Sequence, residues 1–397
     1  MLVLNREQVR ELVSMPEAIA LMMSAFAELS AGRTFSPLRT VIPLADRGGD
    51  ALFMPAYVPG MDALGLKTVS VFRRNPERGL PVIYALVALV DPETGRPLAI
   101  MDGTYLTALR TGAVSGAAAD LLTRPESKVL AAIGAGAQGV TQIAAVCAVR
   151  PIERVIAVDV SREALERLRG TLHLEWPELG QRLETTTNAS AAVRVADIVC
   201  TATTSRTPVL RDVDVRPGTH ISAVGSFTPE MRELPEATVA RATVVVDAVE
   251  AALAEAGDLI IPLTKGLVTR DHFLRELGMV VSGKAPGRTS PDEVTLLKSV
   301  GNAVQDVVVA KTAVERARER GIGTEIELAK WRPGSRTRRG SSLSRRLRPW
   351  QPVRRWGRRQ RRRHGARCGR GTPAGTSSSC PAAASEQPDR GRIERDR

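Results

Sequence analysis

The residues that most clearly suggest chemistry are three glycines near the middle of the 397-residue chain. Gly134, Gly136 and Gly139 form the pattern GxGxxG between an apolar run, KVLAAI, and a helical run, VTQIAAV. In that setting the first glycine permits a tight turn, the second lets a pyrophosphate approach the backbone, and the third allows close helix–strand packing. Unpaired N–H groups at the start of the helix, from Ala137 and Gln138 onward, attract phosphate. The spacing predicts a dinucleotide-binding turn.

A carboxylate follows this turn at the sequence spacing that is typical of a residue in contact with the adenosine ribose. Asp159 lies 20 residues beyond Gly139, at the end of the next predicted strand. Its carboxylate would accept hydrogen bonds from the adenosine ribose and repel a 2′-phosphate, which favours NAD over NADP as the cofactor. Ser161 and Arg162 follow closely and could support a 2′-phosphate, so NADP stays an alternative. A strand–helix turn without any ligand is the other alternative.

The basic charge of the chain is concentrated at one end. The net charge is +13, but residues 329–397 hold 21 of the 56 Lys and Arg residues and four of the 43 Asp and Glu residues. Residues 1–328 therefore carry a net charge of −4. The composition of 329–397 predicts a disordered Arg-rich tail, such as a frameshifted or read-through extension would have. An RNA-binding tail is the alternative, and we do not expect a nucleic-acid partner.

Cysteine usage and hydropathy indicate a reducing compartment. Cys147 and Cys200 lie in apolar runs without the spacing of a metal site, so we expect free thiols, with a disulfide as the alternative, and no bound metal. The N-terminus lacks the pattern of a signal peptide, and no run reaches the roughly 20 apolar residues of a membrane span. These features predict a cytoplasmic protein without a membrane partner.

The first third of the chain reads as an α+β domain. Residues 14–31 have helical periodicity, with Ser14 as the N-cap and Gly32 just beyond the end. Turn clusters then separate short extended segments, which predicts an antiparallel sheet. An Ala-rich helix is expected after the sheet. The extended segments are 38–44, 51–57, 65–72 and 82–91, and the helix is 104–122.

From residue 128 the pattern changes to alternating strands and helices, which predicts a doubly wound parallel sheet of the Rossmann type. Residues 291–320 are expected to form a long amphipathic helix or a pair of helices that packs back on the first domain. The predicted division is therefore 1–122 with 300–328, then 123–299, then the tail 329–397. The predicted strands are 129–133, 154–158, 183–187, 197–201, 220–224 and 243–246, with helices at 140–148, 162–172 and 189–195.

Several motifs together give the chain a family resemblance. The sequence resembles the ornithine cyclodeaminase and mu-crystallin family over residues 1–328. This resemblance implies an α+β domain that supplies the substrate pocket and a homodimer interface, and a Rossmann domain that holds NAD(P). The motifs are SPLRTVIP (36–43), FMPAY (53–57), GLKTVSVF (65–72), MDGTYLTALRTGAVS (101–115), GAGAQG (134–139), AVGSFTPEMREL (223–234) and KSVGNAVQD (298–306).

The resemblance also implies functions for individual residues. Arg39, Lys67 and Arg110 match three basic residues that gather around the substrate carboxylate. A guanidinium binds a carboxylate through two hydrogen bonds, whereas a lysine can also donate a proton. The alternative for each is a solvated surface residue. The implied cofactor contacts are Thr111, Gln138, Thr201, Val224, Gly225, Ser226 and Ser299.

Two departures from the ornithine cyclodeaminase pattern bear on the substrate. Phe227 occupies the position at which those enzymes carry an Asp. Leu52, shortly before Met54 and Pro55, occupies the position at which they carry a Glu. A charged amine buried against Leu and Phe would cost several kcal/mol. The sequence is more similar to the ketimine reductase, pyrroline-carboxylate reductase and alanine dehydrogenase branch. Asp102 belongs to that branch's MDG motif and is a weaker catalytic candidate, with a helix N-cap as its alternative role.

These observations predict an NAD(P)-dependent imino acid (ketimine) reductase or amino acid dehydrogenase. Hydride would pass between nicotinamide C4 and the α-carbon, with Arg39 and Arg110 holding the carboxylate beside Met54 and Phe227. Lys67 would donate the proton. An ornithine cyclodeaminase and a non-catalytic NADP(H)-binding protein like mu-crystallin are the alternatives. The particular imino acid and the physiological direction stay open.

Overall fold

The computed structural model describes residues 1–328, which form two seven-stranded sheets and twelve α-helices. The predicted tail 329–397 lies outside the described residues. The strands are β1 Leu2–Leu4, β2 Thr40–Leu44, β3 Gly49–Val58, β4 Ala63–Phe72, β5 Ile83–Val90, β6 Pro97–Asp102, β7 Val129–Ile133, β8 Arg154–Val158, β9 Leu183–Thr186, β10 Ile198–Thr201, β11 His220–Ala223, β12 Thr243–Val246, β13 Thr295–Lys298 and β14 Thr324–Glu325.

The helices begin where the sequence supplies caps. Ser14 and Glu17 form a capping box at the start of α2, and Asn302 and Gln305 do the same for α12, which ends at Gly321 with a left-handed φ of 67°. The helices are α1 Arg6–Leu12, α2 Met15–Ser30, α3 Gly103–Leu122, α4 Ala137–Val149, α5 Arg162–Glu175, α6 Pro177–Gly180, α7 Ala189–Val193, α8 Glu236–Arg241, α9 Val249–Glu255, α10 Gly257–Thr264, α11 Leu277–Val281 and α12 Ala303–Arg320.

The first sheet has the order β14-β1-β6-β5-β4-β3-β2. Strands β2 to β5 pair antiparallel, as predicted; β6 pairs antiparallel with β5, and β1 joins parallel to β6. The sequence analysis missed β1, β6 and β14. Two of these are only two or three residues long, too short for an alternation pattern. The predicted antiparallel sheet is therefore a mixed sheet.

The second sheet is parallel and has the order β12-β13-β11-β10-β7-β8-β9. Helices pack on both faces, and two apolar clusters fill the layers on either side. The chain runs from β7 outward to β9 on one side and then returns to β10 on the other side of β7. At this reversal of strand order a crevice forms at the carboxyl ends of the strands, where ligands of such sheets bind. The Rossmann-type doubly wound fold is confirmed.

The prediction for residues 291–320 was wrong at its start. Thr295–Lys298 forms strand β13 between β11 and β12, and the helix begins only at Ala303. All four residues of β13 are buried, so this short strand shows no alternation of buried and exposed positions by which periodicity could separate it from a buried helix. Gly301, with a φ of 84°, lies between the two elements.

Two helices connect the sheets. Helix α12 packs against β3, β4 and α2, so the end of the described chain returns to the first sheet. Helix α3 packs against β5 on one side and α4 on the other. A Cβ atom on Gly112 would lie 2.5 Å from the carbonyl oxygen of Thr141, so these two helices touch backbone to backbone. Residues on α3 are thereby brought next to the glycine turn.

Three further expectations concern the chemistry of the chain as a whole. Within residues 1–328, no single helix is long and apolar enough to cross a membrane, and only the bent pair α1–α2 passes the same test jointly. In that part of the chain no cluster of His, Cys, Asp or Glu could hold a metal ion. Cys147 and Cys200 are free thiols; Cys200 is buried and Cys147 is partly exposed.

Candidate active site

The glycine turn joins β7 to α4 at the carboxyl edge of the parallel sheet. Gly134 has a φ of 108°, and a Cβ atom on it would lie 2.6 Å from the carbonyl oxygen of Ala202. A Cβ atom on Gly139 would collide with the carbonyl oxygen of Gly134. Gly136 has no atom within 4 Å of its Cβ position. The turn is therefore closed by backbone at two glycines and open at the one where a pyrophosphate would approach.

A cavity of about 600 Å³ extends from this turn along the carboxyl ends of β7, β8 and β10. We call it the glycine-loop cavity; Gly134, Gly136, Asp159 and Thr203 line it. One oxygen of Asp159 accepts a hydrogen bond of 2.8 Å from the backbone N–H of Ala135, and the other accepts from Ser161 at 2.9 Å. A carboxylate accepts about four hydrogen bonds, so Asp159 keeps capacity for ribose hydroxyls. The residues present fit a dinucleotide.

A second cavity, of about 180 Å³, lies between the two sheets and contains the three predicted cations. We call it the cationic cavity. Arg39 precedes β2, Lys67 lies in β4 and Arg110 lies in α3, and all three line this space. Residues 202–204 line both cavities. A ligand in the glycine-loop cavity that passes these residues therefore reaches the cations.

Strand register explains why Lys67 faces this cavity. Lys67 is paired with Met54 in β3, and Val69 is paired with Leu52. Directly paired residues point to the same face of a sheet, and side chains alternate along a strand. Lys67, Val69 and Val71 therefore share the face that looks into the cavity, together with Leu52 and Met54.

A single buried carboxylate holds two of the three cations. One oxygen of Asp306 lies 2.8 Å from Nζ of Lys67, and the other lies 3.0 Å from Nε of Arg110. Nη1 of Arg110 also donates to Gln305 at 3.0 Å. Asp306 is fully buried, where an unpaired charge would be costly. The sequence analysis gave Asp306 no function, although it is the last residue of the KSVGNAVQD motif.

The surroundings of Lys67 favour its neutral form. Burial lowers the pKa of Lys67 to about 7, and the neighbouring charge of Arg110 acts in the same direction, while Asp306 opposes both. A lysine with a pKa near neutrality exchanges its proton readily at physiological pH. Its position therefore suits a proton donor.

Arg39 is anchored at one end of its guanidinium. Its Nη2 donates to the carbonyl oxygens of Val300 at 2.8 Å and Gly301 at 2.7 Å, and lies 2.9 Å from a carboxylate oxygen of Glu255. Burial raises the pKa of Glu255, and the charge of Arg39 opposes that shift. These contacts fix the orientation of Arg39 toward the cavity.

One side of the cationic cavity is apolar. Leu52 and Phe227, the two residues that replace carboxylates of the ornithine cyclodeaminase pattern, both line it, and so does Met54. Among the described residues, the lining contains three cations and no Asp or Glu. The cavity therefore matches an anionic group attached to a small apolar body, and it offers no partner for a second ammonium group.

Most of the predicted cofactor residues lie around the two cavities. Thr111, Gln138, Val224, Gly225 and Ser299 line the cationic cavity, and Gly134, Gly136 and Asp159 line the glycine-loop cavity. Ala137 is the first residue of α4, and Gly139 lies in its first turn. The hydroxyl of Ser299 donates to Asp247 at 2.7 Å, so its side chain is held by the protein while its residue borders the cavity.

Three predicted residues lie elsewhere. Thr201 is fully buried and lines neither cavity, because its hydroxyl points to Glu233 and donates to it at 2.9 Å. Ser226 is also buried, and its hydroxyl donates to the carbonyl oxygen of Met231. Asp102 is the N-cap of α3 and accepts from the N–H of Tyr105 at 2.8 Å. Its side chain thus has the helix-capping role given above as the alternative.

Comparison with known sequences agrees with this geometry. The model of the ornithine cyclodeaminase/mu-crystallin family matches residues 1–321. A Delta(1)-pyrroline-2-carboxylate reductase of Bacillus cereus is 43% identical over 328 residues, which cover 82% of this chain and 100% of that protein.

Solved structures show the same architecture. The structure of Thermococcus litoralis Delta(1)-pyrroline-2-carboxylate reductase in complex with NADH and L-proline has a TM-score of 0.79 and 41% identity, covering 82% of this chain and 100% of that one. An archaeal alanine dehydrogenase dimer with bound NAD has a TM-score of 0.77 and 36% identity, covering 83% and 99%.

Proposed function

This chain belongs to the ornithine cyclodeaminase/mu-crystallin family, and from that premise we propose that it is an NAD-dependent reductase of a small cyclic imino acid. The carrying observation is the cationic cavity, in which Arg39, Lys67 and Arg110 meet an apolar wall beside the glycine turn. The reaction class is that of its relatives: oxidoreduction between an imino acid and an amino acid, with a nicotinamide cofactor.

Arg39 and Arg110 bind the substrate carboxylate in this proposal. Asp306 and Glu255 hold the two guanidinium groups in place before substrate arrives. Because the guanidinium groups are already oriented, little further ordering of the protein is needed when the carboxylate binds. The bound carboxylate then keeps the α-carbon at a fixed distance from the cofactor site. The apolar contacts of Leu52, Met54 and Phe227 then position the rest of the substrate.

The glycine turn, Asp159 and the segment after β10 hold the cofactor. Asp159 would accept hydrogen bonds from the ribose, the N-terminus of α4 with Gln138 and Thr111 would bind the phosphates, and Val224, Gly225 and Ser299 would border the nicotinamide. When bound, NADH supplies the hydride that reduces the imine carbon. NADP remains the alternative cofactor because Ser161 follows Asp159 so closely.

Lys67 donates the proton that the imine nitrogen gains on reduction. The carbon–nitrogen double bond accepts one hydride at carbon and one proton at nitrogen, so the amino acid leaves with both. Lys67 becomes neutral in this step and regains a proton from solvent. Asp306 accepts a hydrogen bond from Lys67 throughout and keeps Nζ pointed at the cavity.

The apolar wall favours a monocarboxylate such as Δ1-pyrroline-2-carboxylate as the substrate. A second carboxylate or a side-chain ammonium would be buried against Leu52, Val69 and Phe227 without a partner, at a cost of several kcal/mol. This argues against ornithine as a substrate. A non-catalytic NADP(H)-binding protein is the other alternative, and only turnover distinguishes it.

We also propose a homodimer built on the first sheet, and a cytoplasmic location. Strand register places Ile42, Tyr84 and Leu86 on the face opposite Lys67, where they are 42–47% exposed. An apolar face of this kind commonly marks a protein interface.

The division into 1–122 with 300–328 and 123–299 is supported by α12, which packs on the first sheet. The free thiols of Cys147 and Cys200 are consistent with a reducing compartment.

The deciding experiment is a spectrophotometric assay of NADH and NADPH oxidation with the full chain. We expect rapid oxidation of NADH with Δ1-pyrroline-2-carboxylate and weak or no ammonia release from ornithine. Piperideine-2-carboxylate, and pyruvate with ammonia, serve as further imino substrates. Binding of NADH without turnover of any of them would favour the non-catalytic alternative, and proline formation from ornithine would favour the cyclodeaminase.

A further inference from the structure

One buried carboxylate, that of Glu233, ties together the loops at the junction of the two cavities. Glu233 lies between β11 and α8 and is fully buried. One of its oxygens accepts from the N–H of Thr203 at 2.6 Å and from the hydroxyl of Thr203 at 2.8 Å. The other accepts from the N–H of Gly225 at 2.7 Å and from the hydroxyl of Thr201 at 2.9 Å. Four hydrogen bonds thus join three residues, from two segments of the chain, to a single side chain.

The groups that Glu233 holds are the groups that border the cofactor path. Thr203 lines both cavities, and Gly225 lines the cationic cavity. A Cβ atom on Gly225 would lie 2.5 Å from Oε1 of Glu233, so the carboxylate packs directly beneath this loop. Any shift of Glu233 would therefore move the backbone on which the nicotinamide end of the cofactor is expected to rest.

Glu233 is itself fixed by a second layer of buried charges. Asp258 accepts from the N–H groups of Glu233 at 2.7 Å and Leu234 at 2.9 Å, and its other oxygen lies 3.1 Å from Nζ of Lys298. Lys298 is the last residue of β13 and immediately precedes Ser299 in the cationic cavity. Burial raises the pKa of Glu233, while the charge of Lys298 and the hydrogen bonds from Thr203 oppose that shift. The network leaves the carboxylate little freedom to move.

We propose that Glu233 is a positioning residue for the nicotinamide half of the cofactor, which it acts on through Thr203 and Gly225. This inference rests on the proposed function, since it assumes that NADH passes residues 202–204. Each oxygen of Glu233 accepts a backbone N–H. In a Glu233→Gln variant the amide NH₂ would face either Thr203 or Gly225, donor against donor, and one loop would lose its anchor.

The test compares cofactor binding with imino acid binding in three variants of the full chain. For Glu233→Gln we expect the Kd of NADH, measured by fluorescence titration, to rise at least about tenfold, as for a lost buried hydrogen bond. The KM for Δ1-pyrroline-2-carboxylate at saturating NADH should stay within about threefold of wild type, because the Lys67 and Arg110 contacts are untouched. Thr201→Val removes one hydrogen bond to Glu233 from a residue outside both cavities, and should raise the NADH Kd by a smaller factor.

Glu236→Gln is the matched control, because Glu236 follows in the same segment and pairs instead with Arg232 and Lys265. Its NADH Kd should equal that of wild type. An unchanged NADH Kd in Glu233→Gln, or in Thr201→Val if the first variant does not fold, would overturn the inference alone. Equal rises in the NADH and imino acid constants would also overturn it, since they indicate general disruption. A wild-type chain without affinity for NADH would overturn the proposed function as well.

Discussion

At the scale of single residues, two buried or partly buried carboxylates orient the three cations of the site. Asp306 contacts Lys67 and Arg110 with separate oxygens, and Glu255 contacts Arg39. In a buried setting each cation would otherwise lose hydration without a partner. The same arrangement sets the pKa of Lys67 at about 7, because Asp306 only partly offsets the lowering of this pKa by burial and by the charge of Arg110. Orientation and proton exchange are thus set by the same few contacts.

Lys67 provides the first residue-scale prediction. In the reductive direction kcat should fall as the pH rises through about 7, because only the protonated form of Lys67 can donate a proton. Lys67→Ala should lower kcat by about 10²- to 10⁴-fold, the usual contribution of a general acid, and should remove this limb of the pH profile. Lys128→Ala, at an exposed lysine, should leave both unchanged. A variant with full kcat and only a raised KM would show that Lys67 binds substrate but does not donate the proton.

Asp306 provides the second, which concerns stability. Asp306→Asn would leave two buried cations with a neutral partner, so the free energy of unfolding should fall by about 3–5 kcal/mol. Urea denaturation measures this change. Glu315→Gln is a control on the same helix, where Glu315 forms an exposed pair with Lys311 that is worth less than about 1 kcal/mol. Similar losses in both variants would contradict the importance given to the buried pair.

At the scale of elements, the site is built where strand ends and helix starts meet. Strand β4 directs Lys67 inward by alternation, α3 carries Arg110 and Thr111 against α4, and the glycine turn opens the edge of the parallel sheet. The backbone contact between α3 and α4 at Gly112 determines how near the cations lie to the turn. Neither sheet forms the site by itself.

The glycine turn gives the element-scale prediction. Gly136→Val adds a side chain to open space, so the fold should tolerate it while the NADH Kd rises at least about tenfold through exclusion of the pyrophosphate. Gly170→Ala is the control, since Gly170 also has no atom within 4 Å of its Cβ position but lies in α5, away from the cavities. Isothermal titration with NADH, alongside a thermal melt, measures both effects. Wild-type affinity in Gly136→Val would contradict the placement of the pyrophosphate.

At the scale of the whole molecule, the two faces of the first sheet have different surroundings. One face looks into the cationic cavity and packs on α12. The other presents Ile42, Tyr84 and Leu86 at 42–47% exposure. Three large apolar residues aligned by register on an open sheet face are expected to be covered in solution. The proposed dimer would cover them with the same face of a second copy.

The dimer can be tested directly. Light scattering after gel filtration should give twice the chain mass for wild type and the single-chain mass for Leu86→Asp, because a charge at the centre of an apolar interface is strongly unfavourable. Leu174→Asp is the control: Leu174 is 80% exposed, on α5. A wild-type monomer, or equal dissociation of both variants, would contradict the proposed interface.

Local patterns were sufficient for much of this molecule. The glycine turn with its flanking strand and helix, the Rossmann-type sheet, the N-cap of α2 and most strand bounds follow from rules that act over a few residues. The turn, sheet and cap inferences need only neighbours along the chain. The roles of Arg39, Lys67 and Arg110, and the apolar substrate wall at Leu52 and Phe227, were instead implied by the resemblance to a known family.

The tertiary structure decided the features that depend on residues far apart in sequence. Asp306 meets Arg110 across 196 positions, and Glu233 meets Thr201 only when β10 and β11 lie side by side. Strand β13 could be told from a helix only by its neighbours, because a segment buried on both faces has no periodicity. The orientation of Thr201 also could not be predicted from the sequence. The partner of a buried hydroxyl is determined by tertiary packing, which a local run of residues does not reveal.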